Sequence, residues 1–336
     1  MTAVVVDWLG RGGIAQTTPA WVRALGDAGH EVVVVTRGGR ELDGPGVRAP
    51  HDGVHALITH HRLARLAAST VEELEPDVVV VQNHVVPALE VPLDRALRRS
   101  RARSIVVVHD HRLHSRAAGS NAGLRRRIRA ADTVVAHSRF VARALRARTG
   151  RADVTVLPLP TAAVPGPGID RLPVADDTAT AIGFGVLRRS YKGVDVVADL
   201  AARGVDGWRF AMAGTGAPVG LPGVDAVPGY LSTPDLAATV GGATAAVLPY
   251  RFATQSAAVL FAQQLGVVPV ASAVGGIAEQ IHDGVDGVLL PADAGVGRWR
   301  DALDAVRADH ALLAAGARRR ADLADAVFIG GVDALV

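Results

Sequence analysis

Short valine-rich runs recur along this chain, each followed by glycine or polar residues and then by a helical pattern. Val4-Val5-Val6 comes first, then His30 to Thr36, Asp77 to Val81, Ser104 to Val108 and Thr133 to Ala136. Apolar runs of that length without polar alternation read as strands covered on both faces, the condition of a parallel sheet between helices. The first strand runs into Asp7-Trp8-Leu9-Gly10-Arg11-Gly12-Gly13-Ile14, a glycine-rich turn. A helix ending at Gly29 and the next strand follow. That is a βαβ unit with a right-handed crossover. The expected fold class is therefore α/β, with doubly wound parallel sheets.

The second half repeats the pattern, with strands at Ala181–Phe184, Trp208–Met212, Ala243–Pro249 and Val267–Ser272. Between the halves, Pro158, Pro160, Pro165, Pro167 and Pro173 occur with Gly166 and Gly168, which marks a linker. The expected organisation is a Rossmann-like domain over 1–160, a linker over 161–178 and a second Rossmann-like domain over 179–315. A last helix over 316–336 is expected to pack back on the first domain. A helix is also expected over Pro92 to Arg103. There are 336 residues and aromatics make up only 4%, so the cores are filled by Val, Ala and Leu.

The glycine turn after the first strand is not a dinucleotide fingerprint: it lacks G-x-G-x-x-G, and no acidic residue ends the second strand. It reads either as a plain strand-to-helix turn or as a loop whose Gly12 and Gly13 let backbone N–H groups approach a ligand. Trp8 beside it reads equally as an acceptor platform or as core. The polar tips Gln82-Asn83-His84 and His109-Asp110-His111 fall at strand carboxyl ends, where open α/β sheets bind ligands. His109 is the candidate site histidine among twelve. No third ligand accompanies His109 and His111, so no metal site is expected. The chain has no cysteine, which excludes disulfides and thiolate metal sites. It shows no signal-peptide pattern and no apolar run of about 20 residues. A cytoplasmic protein is the expectation.

Charge is unevenly placed. Sixteen arginines and only Asp110 and Asp132 lie between Arg95 and Arg151, although the whole chain carries a net +3. Arg139, Arg143 and Arg146 share a helical face by spacing. Such a stretch reads as a surface for an anionic partner, including peripheral contact with the inner face of a membrane, or as arginine used for solvation. No aromatic residues are interleaved as stacking platforms, which disfavours single-stranded nucleic acid.

The stretch Ala181 to Gly193 carries the most chemistry. An apolar strand breaks at Gly185, delivers Arg188, Arg189, Ser190 and Lys192, and gives way to a helical pattern. A strand, a cationic turn and a helix amino end together read as a phosphate site, the alternative being that Arg188, Arg189 and Lys192 form a solvated loop. Lys192 is the only lysine; the other 35 of the 36 Lys+Arg residues are arginine. Later tips add Ala213-Gly214-Thr215-Gly216, Thr254-Gln255-Ser256 and Val274-Gly275-Gly276-Ile277-Ala278-Glu279.

Taken in order, these segments resemble the retaining GT-B glycosyltransferases of family four. Gly185–Gly193 resembles the turn that holds the donor diphosphate, and Pro249–Gly266 the donor loop and helix. Val274–Glu279 matches V-G-G-x-x-E, and Asp283–Gly287 matches D-G-x-x-G. Gly12-Gly13 and His109-Asp110 resemble the family's first loop and His-Asp strand end. The resemblance implies two Rossmann-like domains with parallel sheets facing a cleft. It also implies transfer of a sugar, with retention, from a nucleoside diphosphate donor to a hydroxyl acceptor such as a glycan, glycolipid or natural product. The diphosphate itself takes the acceptor proton, no metal or other cofactor is expected, and nucleic acid is not a partner. His109, Arg188 and Lys192 take the catalytic roles. Gly12, Gly13, Arg189, Gly214, Gly216, Thr254, Gln255, Ser256, Gly275, Gly276 and Glu279 bind the donor. Arg188 and Arg189 compete for one family role.

The chain departs from the family at its pair of glutamates. Those places hold Ala253 (Phe252 in a looser alignment) and Phe261, and the loop's glycines become Gln255-Ser256-Ala257. This implies a variant subgroup with a Thr-Gln-Ser donor loop. The rival reading is a catalytically inactive GT-B protein that binds a nucleotide or a partner. A sugar-nucleotide epimerase would need acid and base carboxylates that the sequence does not offer.

Overall fold

The computed structural model describes residues 1–10, 12–37, 46–50, 56–82, 86–111, 120–164 and 178–336. Most of the expected turn at 38–52, the tip Asn83-His84, the start of the basic helix at Ala118 and most of the linker lie outside the described residues. The chain divides into two compact units. One comprises Met1–Pro160 with Asp325–Val336, the other Thr161–Ala324.

In the first unit the order is β1 (Thr2–Asp7), α1 (Gly12–Asp27), β2 (Glu31–Thr36), β3 (Val47–Arg48), α2 (Ala56–Leu74), β4 (Val78–Gln82), α3 (Val91–Arg99), β5 (Arg103–Val108), α4 (Ser120–Ala130), β6 (Thr133–Ala136), α5 (Arg139–Thr149) and β7 (Val154–Val156). The strands pair in parallel in the order β3-β2-β1-β4-β5-β6-β7. Successive side chains on a strand point to opposite faces. Val4, Val6, Val79 and Val81 therefore pack with Leu63 and Leu93 of α2 and α3. Val5, Val80, Ile105 and Val107 meet Trp21 and Leu25 of α1 on the other face. Phe328 joins that second cluster, its ring edge-on to Trp21 at 5.1 Å.

The second unit contains β8 (Ala179–Phe184), a single 3-10 turn (Ser190–Lys192), α6 (Val194–Arg203), β9 (Trp208–Gly214), β10 (Val224–Pro228), α7 (Thr233–Gly241), β11 (Ala245–Leu248), α8 (Ala257–Leu265), β12 (Val268–Ser272), α9 (Ile277–Gln280), β13 (Val288–Leu290), α10 (Val296–Ala308) and α11 (His310–Asp333). Its sheet runs β10-β9-β8-β11-β12-β13, also parallel. Ala162 and Val164, inside the expected linker, pack on this unit's core, and Gln264 Nε2 donates to the Ala162 carbonyl at 2.8 Å. α11 runs unbroken past residue 316, and its residues pass from one unit to the other between Ala324 and Asp325.

Three expectations are corrected. α3 stops at Arg99 because Ser100 turns extended, and the Arg103 N–H bonds the Asp77 carbonyl at 2.8 Å to begin β5. The glycine turn ends at Gly10, since Gly12 and Gly13 already belong to α1. Trp8 is 1% exposed and packs against the His60 ring, so it is core rather than a platform. Among the described residues, no helix is long and apolar enough to cross a membrane.

Candidate active site

In each sheet the strand order reverses once, between β1 and β4 and between β8 and β11. Open parallel sheets bind ligands outside the carboxyl ends of strands at such a reversal. In the second unit the two segments that leave the reversal are the cationic turn after β8 and the loop after β11.

The turn is held from both sides. On one side, Gly185 N–H bonds the Ala213 carbonyl and Leu187 N–H the Thr215 carbonyl, each at 2.9 Å. Gly214 and Gly216 sit so close to this backbone that a Cβ on either would overlap Gly185 or Arg188. These two expected donor-binding glycines thus make room for the turn itself. On the other side lies Pro249-Tyr250-Arg251. Gly193 has φ +66, and a Cβ there would overlap the Pro249 carbonyl oxygen. Arg251 N–H bonds the Tyr191 carbonyl at 2.8 Å, its Nη1 donates to the Ser190 carbonyl at 2.8 Å, and its Nη2 pairs with Asp195.

The cations themselves remain available. Arg188 and Arg189 are exposed and Lys192 is half-buried. Among the described residues none of the three has a carboxylate partner. The Lys192 ammonium instead lies 3.7 Å from the centroid of the Tyr250 ring, a cation–π contact that orients the charge without neutralising it. Tyr191 flanks it at 5.6 Å. Lys192 stands in the 3-10 turn, and Gly193, not lysine, caps α6. The first turn of α6 already holds an acid, Asp195, which complements the helix end. The positive charge of this site therefore comes mainly from side chains, a revision of the expectation that shared it with the helix.

The Thr254-Gln255-Ser256 part of the loop after β11 is largely buried and neutral. Thr254 and Ser256 are 7% and 5% exposed, and Gln255 is half-buried. Ser256 caps α8 without a side-chain bond, and its Oγ has no partner among the described residues. Gln280 grips the Ser256 backbone twice, accepting from its N–H at 2.8 Å and donating to its carbonyl at 2.9 Å. This ties the Thr-Gln-Ser loop to α9, whose carboxyl end Arg320 closes by donating to the Glu279 carbonyl at 2.7 Å. Gly275 takes φ +50, Gly276 caps α9 and Glu279 is half-buried on it. Sequence reasoning missed Gln280, Tyr250 and Arg251; the first stands beside a recognised motif residue, which was the available signal. Ala253 and Phe261, where the resemblance expects glutamates, are both buried, and Phe261 packs on Phe184. Asp283–Gly287 is a scaffold: Asp283 accepts the Leu289 N–H at 2.9 Å and Asp286 the His282 N–H at 2.7 Å.

At the reversal in the first unit, a hydrogen-bonded frame forms. The buried Asp7 carboxylate accepts from the N–H groups of Leu9 and Gly10 at 2.9 and 3.0 Å and from Thr18 Oγ1 at 2.8 Å. Gln82 joins it, donating to Thr18 and accepting from Thr17. The frame sets Gly10 at φ +58 ahead of Gly12 and Gly13, whose N–H groups, in the first turn of α1, have no acceptor within the helix. His109 stands at the carboxyl end of β5, buried, with its ring 4.8 Å from that of His137. Burial, then the neighbouring His137, lowers its pKa to about 3, against a smaller pull from Asp110. Burial likewise lowers His137 to about 4, although its Nδ1 bonds the Leu157 carbonyl at 3.1 Å. Both imidazoles are neutral at pH 7, which makes His109 a hydrogen-bonding group rather than a cation. Among the described residues no three metal-ligating side chains cluster.

Several arginines of the basic stretch are engaged within the first unit. Arg127 is buried between Glu90 and Asp94. Arg151 donates to the Ile128 and Asp132 carbonyls at 2.8 Å, and Arg129 to the Thr149 carbonyl. Arg146 bonds the Ala152 and Val154 carbonyls, so the expected stripe of Arg139, Arg143 and Arg146 is not one free face.

Residues 11–161 match the family model for Glycosyltransferase Family 4, and residues 179–309 that for Glycosyl transferases group 1. Among solved structures, the chain is similar to Anabaena Alr3699/HepE in complex with UDP-glucose (TM-score 0.73, 16% identity, 100% of this chain and 98% of that one). It is also similar to WaaG, a glycosyltransferase involved in lipopolysaccharide biosynthesis (0.71, 14%, 100% and 99%). A third is sucrose-phosphate synthase from Thermosynechococcus elongatus (0.69, 17%, 100% and 97%). The two parallel Rossmann-like sheets are those of the GT-B fold. No curated protein matches by sequence.

Proposed function

We propose that this chain, a GT-B protein with a family 4-like first half and a group 1-like second half, transfers a sugar from a nucleoside diphosphate donor to a hydroxyl acceptor with retention of configuration. The observation that carries the reading is the cluster of three cations, Arg188, Arg189 and Lys192, which have no carboxylate partner among the described residues and are held at the strand-order reversal of the second sheet. Breaking a sugar–phosphate bond leaves growing negative charge on the diphosphate. Cations already fixed where that charge develops lower the barrier. Each charge-assisted hydrogen bond is worth about 1.5–3 kcal/mol.

The Thr-Gln-Ser loop and the α9 turn, with Gly275, Gly276 and Glu279, then frame the nucleotide and sugar with neutral and singly acidic groups. In the first unit His109 and the N–H groups of Gly12 and Gly13 supply hydrogen bonds without charge. The proton of the acceptor hydroxyl goes to the diphosphate oxygen, so no enzyme carboxylate is required as nucleophile, and the cations take the place of a metal. That UDP-glucose is bound by a similar protein makes uridine donors the first to try. The protein acts in the cytoplasm, on a glycan, glycolipid or natural-product hydroxyl.

The buried Ala253 and Phe261 favour a second reading, a GT-B protein that binds the nucleotide without turning it over. Both are tested by incubating the protein with UDP- and GDP-sugars. Release of the diphosphate, with the α or β configuration of the freed or transferred sugar read by NMR, supports transferase chemistry. A nucleoside diphosphate shift in Tm with no release from any donor supports the binding protein. No shift with any nucleotide rejects both.

A further inference from the structure

At the opposite end of the first sheet lies a cavity of about 530 Å³, bounded by the carboxyl ends of α3 and α4 and the amino ends of β5 and β6. Leu97, Ala102 and Val106 contribute apolar surface, and Arg98, Arg101, Arg103 and Arg126 surround it. Arg103 opens β5 and His109 follows its end. At about 3.3 Å per residue its lining lies between roughly 20 Å (Arg103) and roughly 10 Å (Val106) from that carboxyl edge. It is therefore separate from the ligand-binding edge of its own sheet.

The charge balance decides what the cavity can hold. Its two acids are engaged. Asp94 pairs with the buried Arg127 at 2.5 Å. Asp132 accepts the Ser104 N–H and hydroxyl at 2.8 and 2.6 Å, and these bonds hold its carboxyl below the usual range. Arg98, Arg101 and Arg126 form no hydrogen bond or ion pair among the described residues, and Arg103 acts on Asp132 only through its charge. Two helix carboxyl ends oppose them with about half a negative charge each. Counting five guanidinium groups with Arg127 against Asp94, Asp132, the Glu90 carboxylate that also pairs with Arg127, and those helix ends leaves roughly one positive charge uncompensated. A protein that only needed to complement its helix dipoles would be balanced here.

We propose that this cavity binds a phosphate-bearing anion. Guanidinium forks match phosphate oxygens in pairs, the apolar wall accepts the carbon part of such a molecule, and the volume falls in the range of small-ligand sites. A soluble phosphorylated metabolite and the headgroup of an anionic lipid offer the same chemistry.

The test uses the full chain carrying Arg188→Ala, Arg189→Ala and Lys192→Ala, which removes all three cations of the donor turn, and pyrophosphate as probe in calorimetry. Binding is expected, and the double change Arg101→Gln with Arg126→Gln weakens it about tenfold or more. Arg101→Lys with Arg126→Lys retains part of it, and circular dichroism confirms the fold of each variant. Cosedimentation with phosphatidylglycerol vesicles, lost in the glutamine variant and competed by pyrophosphate, assigns the site to a lipid headgroup. Pyrophosphate binding without vesicle binding assigns it to a soluble anion. No pyrophosphate binding, or binding unchanged by the glutamine substitutions, overturns the proposal. The reading of the donor turn is unaffected by either result.

Discussion

The two strand-order reversals are built from the same topology yet handle charge in opposite ways. In the first unit, polar groups near the reversal are buried and satisfied among themselves: Asp7 by two N–H groups and Thr18, with Gln82 closing the frame. In the second unit the charged groups stay outside, and the turn that carries them is fixed by glycines, the Tyr250 ring and the Arg251 clasp on its carbonyls. A buried carboxylate must collect hydrogen bonds to offset its desolvation, which leaves it little capacity for a ligand. Half-exposed cations held by an aromatic face and by backbone contacts keep theirs. One reversal is thus a rigid neutral frame and the other a preset cationic grip.

The largest effect is expected where the grip meets its backbone support. Gly193→Ala places a methyl on the Pro249 carbonyl at a left-handed φ. Strain of about 1–3 kcal/mol or more follows, together with loss of the nucleotide-induced rise in Tm. If Gly193→Ala binds nucleotide normally, the turn is not preset. Next comes Lys192→Ala, which should leave the unliganded Tm near that of the parent while turnover falls roughly 10- to 100-fold. An unchanged rate and an unchanged nucleotide shift would remove the cationic grip from the comparison. Tyr250→Leu should reproduce part of that loss and Tyr250→Phe very little, because the ring face and not the hydroxyl meets the ammonium.

Gln280→Ala removes two hydrogen bonds to the Ser256 backbone, each worth about 0.5–1.5 kcal/mol. A higher KM for donor with a smaller change in kcat would sharpen the view of α9 as a clamp on the loop. The smallest effect concerns the neutral frame. His109 and His137 are lowered to about 3 and about 4, chiefly by burial. An unfolded histidine takes its proton near 6.5. Below that pH the unfolded chain binds protons that the folded one refuses. Their contribution is fully present above about pH 6.5 and is lost as pH falls toward 4 and 3. Tm should decline over that window, and His137→Asn should flatten the decline relative to the parent.

Much of the architecture was legible because it depends on local pattern. Valine runs, glycine punctuation and helical spacing specify parallel strands and crossovers over a few residues at a time. The cationic turn was legible for the same reason, since Arg188, Arg189 and Lys192 are near neighbours in sequence. The function of Gly214 and Gly216 was not, because their closest contacts belong to the turn about 30 residues earlier, Gly185 and Arg188. Trp8 read as an open choice until packing buried it.

What the sequence determined by itself is therefore the succession of strands and helices along the chain and the residues delivered to the strand ends. Which charges are free was decided only by the tertiary structure. Thirty-five arginines look alike as letters. Arg127 is buried between Glu90 and Asp94, and Arg251 clasps the turn from some 60 residues away. Arg188 and Arg189 stay open. Pairing and desolvation act over a few ångströms in space, so the availability of a charge depends on segments that meet it only after folding.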